Sequence, residues 1–361
     1  MYDDTSDLDN GNIKYDVLLF HIDFLKNKNY NNIFQIWLIT LIFLVSLIII
    51  VGGLTRLTDS GLSITEWELF KGVLPPINEQ IWVSYFEAYK KIPQYILLNS
   101  DMSIDQFKYI FLWEYAHRLL ARFIGIFFLI PFIFFICMNL IKKKLLIKLI
   151  LVFILILSQG AVGWFMVKSG LVENTSVSHY RLSIHLFIAF CILSSLVWIL
   201  HNLTTNKEII FFQFSLKHIY LKILLFFIFS QIIFGAFVSG LDAGKVYQSW
   251  PLMNGSYFPN DISANNFFDF NQPSVVQFFH RNIAYLIFFL SFYVGFIIFK
   301  NRQINQYKNF LLFFAFILVQ IILGISVLIS GVNIYLASMH QISSIFLVIS
   351  VLRLYHGLIR Y

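Results

Sequence analysis

Long apolar runs alternate with polar connections along almost the whole chain. Eight runs, at about 33–54, 115–139, 145–167, 180–200, 217–239, 278–299, 308–330 and 334–355, reach the length a spanning helix needs, which is about 20 mainly apolar residues. The pattern predicts an all-α integral membrane protein with eight transmembrane helices. Two polar connections are long, 55–112 and 240–277, and the others are short. Residues 1–32 are polar and carry Asp3, Asp4, Asp7 and Asp9. They lack the basic start and apolar core of a secretory signal and the Arg-rich character of an organelle presequence. A cytoplasmic tail with no cleaved leader is expected there.

The pattern repeats. His117-Arg118 recurs as His280-Arg281, the run Ser158-Gln159-Gly160-Ala161-Val162-Gly163 resembles Val319-Gln320-Ile321-Ile322-Leu323-Gly324, and His185 has His340 as its later match. The chain then divides into an N-terminal four-helix half at 33–200, a linker at 201–216 and a C-terminal four-helix half at 217–361. Repeats of four crossings each keep one membrane orientation, so two pseudo-symmetric four-helix bundles related by an axis along the membrane normal are expected.

Lys and Arg accumulate on the cytoplasmic side of short loops. The links after helices two, four and six hold Lys142, Lys143, Lys144 and Lys148, then Lys207, Lys217 and Lys222, then Lys300, Arg302 and Lys308. Both termini are therefore expected inside, and segments 55–112 and 240–277 outside.

Composition agrees: 58% hydrophobic and 12% charged residues exclude a soluble domain. The net charge of +7 reads as topology and contact with anionic lipid, and no interleaved basic and aromatic pattern suggests nucleic acid. Cys137 and Cys191 each fall in an apolar helix and read as small buried hydrophobes. They form no metal-spaced cluster.

Candidate chemistry lies in four histidines. His117, His185, His280 and His340 sit on helices two, four, six and eight, each near the outer end. An ionisable side chain inside a spanning helix is costly and marks function by default. Two imidazoles from facing helices, lined by Phe, Leu and Ile, suit a haem iron with two axial ligands. Zinc would need three or four ligands, and no further donor sits beside each histidine. Arg118, Arg122 and Arg281 lie near the same outer ends, with Arg181 one turn before His185, and guanidinium forks pair well with carboxylates such as haem propionates. Glu114 has no acidic counterpart in the second half, where the run reads Val276-Gln277-Phe278-Phe279-His280-Arg281. Its spacing from His117 puts both on one helix face. There it could act as a base toward water or stabilise developing positive charge. One site then reads as catalytic and the other as electron-transferring. His179, just outside helix four, could assist at a substrate edge but reads as a solvated interfacial residue outside the catalytic set, and His21, His201, His218 and His356 read as bystanders. Trp198 and Tyr361 read as members of an aromatic belt.

The run Val51-Gly52-Gly53-Leu54-Thr55-Arg56-Leu57-Thr58-Asp59-Ser60-Gly61-Leu62-Ser63 resembles the start of haem A synthases, in the form found in alphaproteobacteria and mitochondria. Leu74-Pro75-Pro76, Glu114 to Arg118, Gln159 to Trp164, Ser178 to Leu182, Gly240 to Gly244, Trp250 to Met253 and His340-Gln341 agree with that family in the same order. The resemblance implies an enzyme of a bacterial inner membrane that oxidises the C8 methyl of haem O to a formyl group, giving haem A for cytochrome oxidase. The implied route is two successive hydroxylations followed by loss of water. It implies that His117 and His185 bracket the substrate haem O, that His280 and His340 ligate a haem b cofactor with Arg281 beside it, and that Glu114 sits at the reacting edge. Arg56, Arg118, Arg122 and Arg181 become candidate propionate contacts. Histidine on both faces of the iron favours electron removal followed by attack of water.

The cysteine pair that some bacterial members carry in the first outer loop is missing from 55–112. That loop, with Trp67, Trp82, Tyr85, Phe86, Tyr89 and Tyr95, reads as an amphipathic cap over the substrate site. Haem O synthase and an electron acceptor are the implied partners, and a homo-oligomer stays open. Two other classes use parts of the same pattern. A dihaem electron-transfer cytochrome needs the four histidines but not Glu114. A transporter of parallel repeats is expected to carry broken helices at the midplane.

Overall fold

A computed structural model describes residues 28–67, 71–172, 174–205, 207–211 and 218–359. The tail before residue 28, with His21, and Tyr361 lie outside the described residues. Ten α-helices follow one another among them: α1 (Lys28–Leu57), α2 (Glu79–Tyr89), α3 (Pro93–Leu98), α4 (Ile104–Cys137), α5 (Lys143–Gly170), α6 (His179–Thr205), α7 (Ile219–Gly240), α8 (Pro273–Lys300), α9 (Ile304–Ile329) and α10 (Ile334–Ile359). Eight of them, all but α2 and α3, are long and apolar enough to cross a membrane. The chain is a multi-pass membrane protein.

Each predicted span has its helix, and the bounds differ most at α4. It starts at Ile104, well before the expected 115, because Ser103 and Gln106 form a reciprocal capping box that satisfies the first free backbone donors. The early turns of α4 then stand clear of the apolar run. Phe107, Ile110 and Phe111 pack there with Phe86, Tyr89 and Ile92 and with Leu62 and Ile64. The described residues of 55–112 thus form a folded cap with its own apolar core, and Asn78 caps the start of α2, its side chain accepting from the Ile81 amide. Helix α6 runs on to Thr205, so the linker expected from 201 is helical over its first residues.

Burial repeats between the halves. The inward share of each most apolar window is 39, 22, 11 and 56% for α1, α4, α5 and α6, and 39, 28, 11 and 56% for α7 to α10. Helices α6 and α10 are therefore central, and α5 and α9 peripheral. Within the first half α1 packs on α4 and α6, and α5 on α4 and α6. Within the second, α7 packs on α8 and α10, and α9 on α8 and α10. The halves meet where α6 touches α7 and α10, and where α10 touches α1.

The main core occupies the end of the short links. It draws Phe34 to Ile49 from α1, Ile124 to Phe135 from α4, Ala189 to Ile199 from α6 and Ile345 to Leu358 from α10. The four histidines fall in the opposite portions of their helices. At the short-link end the residues after α6 are strapped down: Asn202 and Trp198 both donate to the Ile209 carbonyl, at 3.1 and 3.0 Å, and His356 Nε2 lies 3.0 Å from Asn202 Oδ1. Trp198 is consequently buried core and not a belt residue. His356 is buried with it as part of the strap. Cys137 is exposed and Cys191 half-buried, against the expectation of buried thiols, since Cys137 ends its helix and faces outward.

Candidate functional site: two histidine pairs

Backbone close approach builds each histidine position. An ideal Cβ on Gly52 of α1 would stand 3.0 Å from His117 Nε2, and one on Gly163 of α5 3.1 Å from His185 Cε1. In the second half Gly235 of α7 faces His280 Cε1 at 3.3 Å, and Gly324 of α9 faces His340 Cε1 at 3.2 Å. Every imidazole thus lies in a notch that a neighbouring helix leaves by carrying glycine. Close approach of one backbone to a bulky neighbour is a standard use of that residue. The notches divide the helices: the first and third of each half carry the backing glycine, and the second and fourth carry the histidine.

The His117 and His185 ring centroids are 6.4 Å apart at an interplanar angle of 69°. A metal between two imidazoles, with metal–nitrogen distances of about 2 Å, requires a separation of this size. His280 and His340 are also close enough to interact electrostatically. Among the described residues no three His, Cys, Asp or Glu side chains come together as a metal set. The donor set is two nitrogens per site, which fits axial ligation of a planar metal-bearing group and not a tetrahedral ion.

Glu114 is buried, with 2% of its surface exposed. Its Oε1 accepts from Arg118 Nη2 at 2.6 Å and Nε at 3.0 Å. Its Oε2 accepts from Ser63 Oγ at 2.7 Å and from the Ile64 amide at 2.8 Å. A buried carboxylate needs such a set of donors. Arg118 also donates to the carbonyls of Ile64 and Glu66, so this arginine is committed to protein acceptors.

The second half repeats the grip with one change. Arg281 donates to the carbonyls of Tyr247 and Ser249, at 2.9 and 3.0 Å. Gln277, three residues before His280 as Glu114 is before His117, is buried and donates to the Tyr247 carbonyl at 3.0 Å. Arg281 Nε and Gln277 Oε1 are both buried without a partner, where the first half has its ion pair. The remaining arginines are placed as follows. Arg56 binds Asp59 at 2.6 Å, the Ser239 carbonyl at 2.6 Å and Asp242 at 3.3 Å, bridging the two halves, and its Nε stays unpartnered. Arg181 donates to the Phe165 carbonyl and covers the Phe165 ring. Arg122 and Arg118 line a small cavity with Tyr85, Phe111 and Tyr115 under the cap.

A family model described as cytochrome oxidase assembly protein matches residues 35–352. The chain belongs to the cytochrome oxidase assembly protein family. Members similar to it carry the name Heme A synthase. One from Pelagibacter ubique is 50% identical over 328 residues, covering 89% of this chain and 95% of that protein. One from Bradyrhizobium diazoefficiens is 43% identical over 312 residues, covering 84% and 86%. One from Rickettsia bellii is 41% identical over 317 residues, covering 86% and 94%.

For this cytochrome oxidase assembly protein the structure brings His117 near His185 and pairs Glu114 with Arg118, an arginine expected instead at a propionate. It adds Ser63, Gln277 and the four glycines, which the sequence reading did not single out. Their signal was present as glycine recurring in the first and third helices of each half. His179 is not solvated as the sequence suggests. It is buried, 8% exposed, against Tyr180 and Phe237 with Nε2 unpartnered, because it packs where α6 meets the Gly240 end of α7.

Proposed function

We propose that this family member performs the reaction its relatives' name describes, converting haem O to haem A by oxidising the C8 methyl to a formyl group. The observation that carries the reading is two glycine-backed histidine pairs, only one of which has a buried carboxylate beside a ligand. In this reading His117 and His185 hold the substrate haem O. His280 and His340 hold a haem b, which supplies one-electron chemistry.

The protein's own work is positional and electrostatic. The cap and the apolar helices exclude water from the ring edges, and the histidine pairs set the depth and plane of each group. Both Glu114 oxygens are occupied by donors, which supports a fixed charge at the reacting edge over a freely mobile proton acceptor. Arg281, with a spare Nε, is the better propionate partner of the two repeated arginines, and Arg122 under the cap is its candidate counterpart. The two-bundle arrangement, both termini on the cytoplasmic side and an electron acceptor in a bacterial membrane complete the reading. A complex with haem O synthase would deliver the substrate.

Haem extraction from membranes containing wild type or Glu114→Gln, each with a source of haem O, tests it. Haem A from the wild type, and haem O or a hydroxylated intermediate from the variant, is expected. Unmodified haem b alone in both samples, at two per chain, would make the protein an electron carrier.

A further inference from the structure

The cap carries apolar surface that the described residues leave open. Ile96, Leu97 and Leu98 are consecutive and 58, 69 and 65% exposed, and Leu74 and Ile77, on the segment leading into α2, are 71 and 80% exposed. Apolar residues scattered singly over a surface are ordinary, but a contiguous run marks a contact with protein or membrane.

Helix α3 cannot turn this run inward, because both of its ends are tied. The Tyr89 hydroxyl donates to Gln94 Oε1 at 3.0 Å and accepts from Asn99 Nδ2 at 2.7 Å. Gln94 is buried, and its Nε2 donates to the Asp59 carbonyl at 3.0 Å. That last bond fixes the height of α3. Asp59 lies five residues past Leu54, where the apolar run of α1 stops, a rise of about 7 Å. The polar layer on each side of a bilayer is about 5–8 Å thick. Helix α3 has six residues and is about 9 Å long, so all of it stays within reach of that layer.

We propose that this edge of the cap is seated in the bilayer leaflet on its own side, with Leu74, Ile77, Ile96, Leu97 and Leu98 in contact with lipid. An interfacial segment sinks its apolar face by about 5–10 Å, which matches the height that Asp59 sets. Glu87, Lys91, Asp101 and Asp105 are exposed on the neighbouring turns and stop the cap from sinking further, since charge in the hydrocarbon is costly. A protein partner at this height would have to displace headgroups, so lipid is the occupant. Leu74 has a second role. It also lines the cavity under the cap with Tyr85, Phe111, Tyr115, Arg118 and Arg122, so that cavity opens at lipid level beside the Glu114–Arg118 pair. An amphipathic substrate dissolved in the leaflet reaches the site from that side; this consequence rests on the function proposed above, and the seating does not.

The test uses the full chain with Cys137→Ala and Cys191→Ala, in vesicles of phosphatidylethanolamine and phosphatidylglycerol. A nitroxide is attached at Leu74→Cys, Ile77→Cys or Leu97→Cys, with Phe226→Cys on the outward face of α7 as lipid reference and Asp105→Cys as water reference. Collisions with oxygen and with a water-soluble nickel chelate are read by power saturation. Oxygen exceeding nickel at Leu74, Ile77 and Leu97, as at Phe226, is expected. Nickel exceeding oxygen, as at Asp105, would leave the edge in water and overturn the proposal. Immobile labels reached by neither would make it a protein contact and overturn it as well. Should the labels disturb the cap, photolabelling of the wild-type chain from a diazirine lipid decides. Modification within 96–98 but not within 105–108 is expected, and none within 96–98 overturns the seating whatever haem the protein makes.

Discussion

Glu114 and Gln277 hold matching places in the two halves: each is buried three residues before a site histidine, and each bonds to the backbone of the long connecting segment that the following arginine grips. The first completes an ion pair with its arginine, and the second leaves Arg281 Nε open.

That difference predicts opposite responses to exchange. Glu114→Gln removes the partner of a half-enclosed guanidinium, and breaking a buried pair costs about 3–5 kcal/mol. The variant should melt earlier and make no haem A. Gln277→Glu should form a new pair with Arg281 and keep haem b bound. Thermal unfolding in detergent with haem chromatography reads both.

The glycine notches predict site-by-site loss. In the proposed assignment, Gly52→Val should remove the haem at His117 and His185 while sparing the one at His280 and His340, and Gly235→Val should do the reverse. Alanine should act more weakly at Gly235, where a Cβ would stand 3.3 Å from its ring, than at Gly52, where it would stand 3.0 Å away. Haem content per chain checks this, and loss of both groups in each variant would contradict it.

Gly53 predicts a defect between the halves. The Gln341 side chain fills the space where a Gly53 side chain would lie, and its Nε2 donates to the Ile49 carbonyl at 2.7 Å. Gly53→Ala overfills this contact between α1 and α10, at about 1–3 kcal/mol. A lower melting temperature is expected, and Gly125→Ala, with open space at its Cβ, is the control.

The second long connecting segment predicts a pH window. Burial pushes the Asp261 carboxyl up, but hydrogen bonds from Ser274 and Tyr247 outweigh it and leave it below its ordinary value. The bond to Asp261, then burial, pushes the Tyr247 hydroxyl up to about 12. Asp261 therefore stabilises the segment above its usual pKa of about 4, and that is lost as pH falls through the lower folded value. Tyr247 contributes fully below about 10, and its part is lost as pH climbs through about 12. The protection of residues 241–272 against hydrogen exchange, relative to the intrinsic rate at each pH, should be greatest between those limits. Asp261→Asn should abolish the acid-side loss.

The eight spans, the repeat and the four histidines were legible because each depends on local chemistry. An apolar run of about 20 residues has few alternatives to a spanning helix, and an imidazole within one stands out against Leu and Phe. The start of α4 was not legible as a span boundary. Its first turns are amphipathic, and the Ser103–Gln106 capping box together with packing on Phe86 and Tyr89 makes them a helix of the cap. The fate of the arginines was hidden for a similar reason. Arg118 and Arg56 look alike as charges near an outer end, yet one closes on Glu114 and the other spans two halves to reach Asp242.

The sequence by itself determined the membrane class, the duplication and the asymmetry of one carboxylate, since composition, periodicity and residue identity carry those directly. Only the tertiary structure decided which glycine backs which histidine, which groups satisfy Glu114, and that Arg56 joins the two halves. Those relations join residues far apart in the chain, and close packing of helix on helix, not local preference, brings them within a few ångströms.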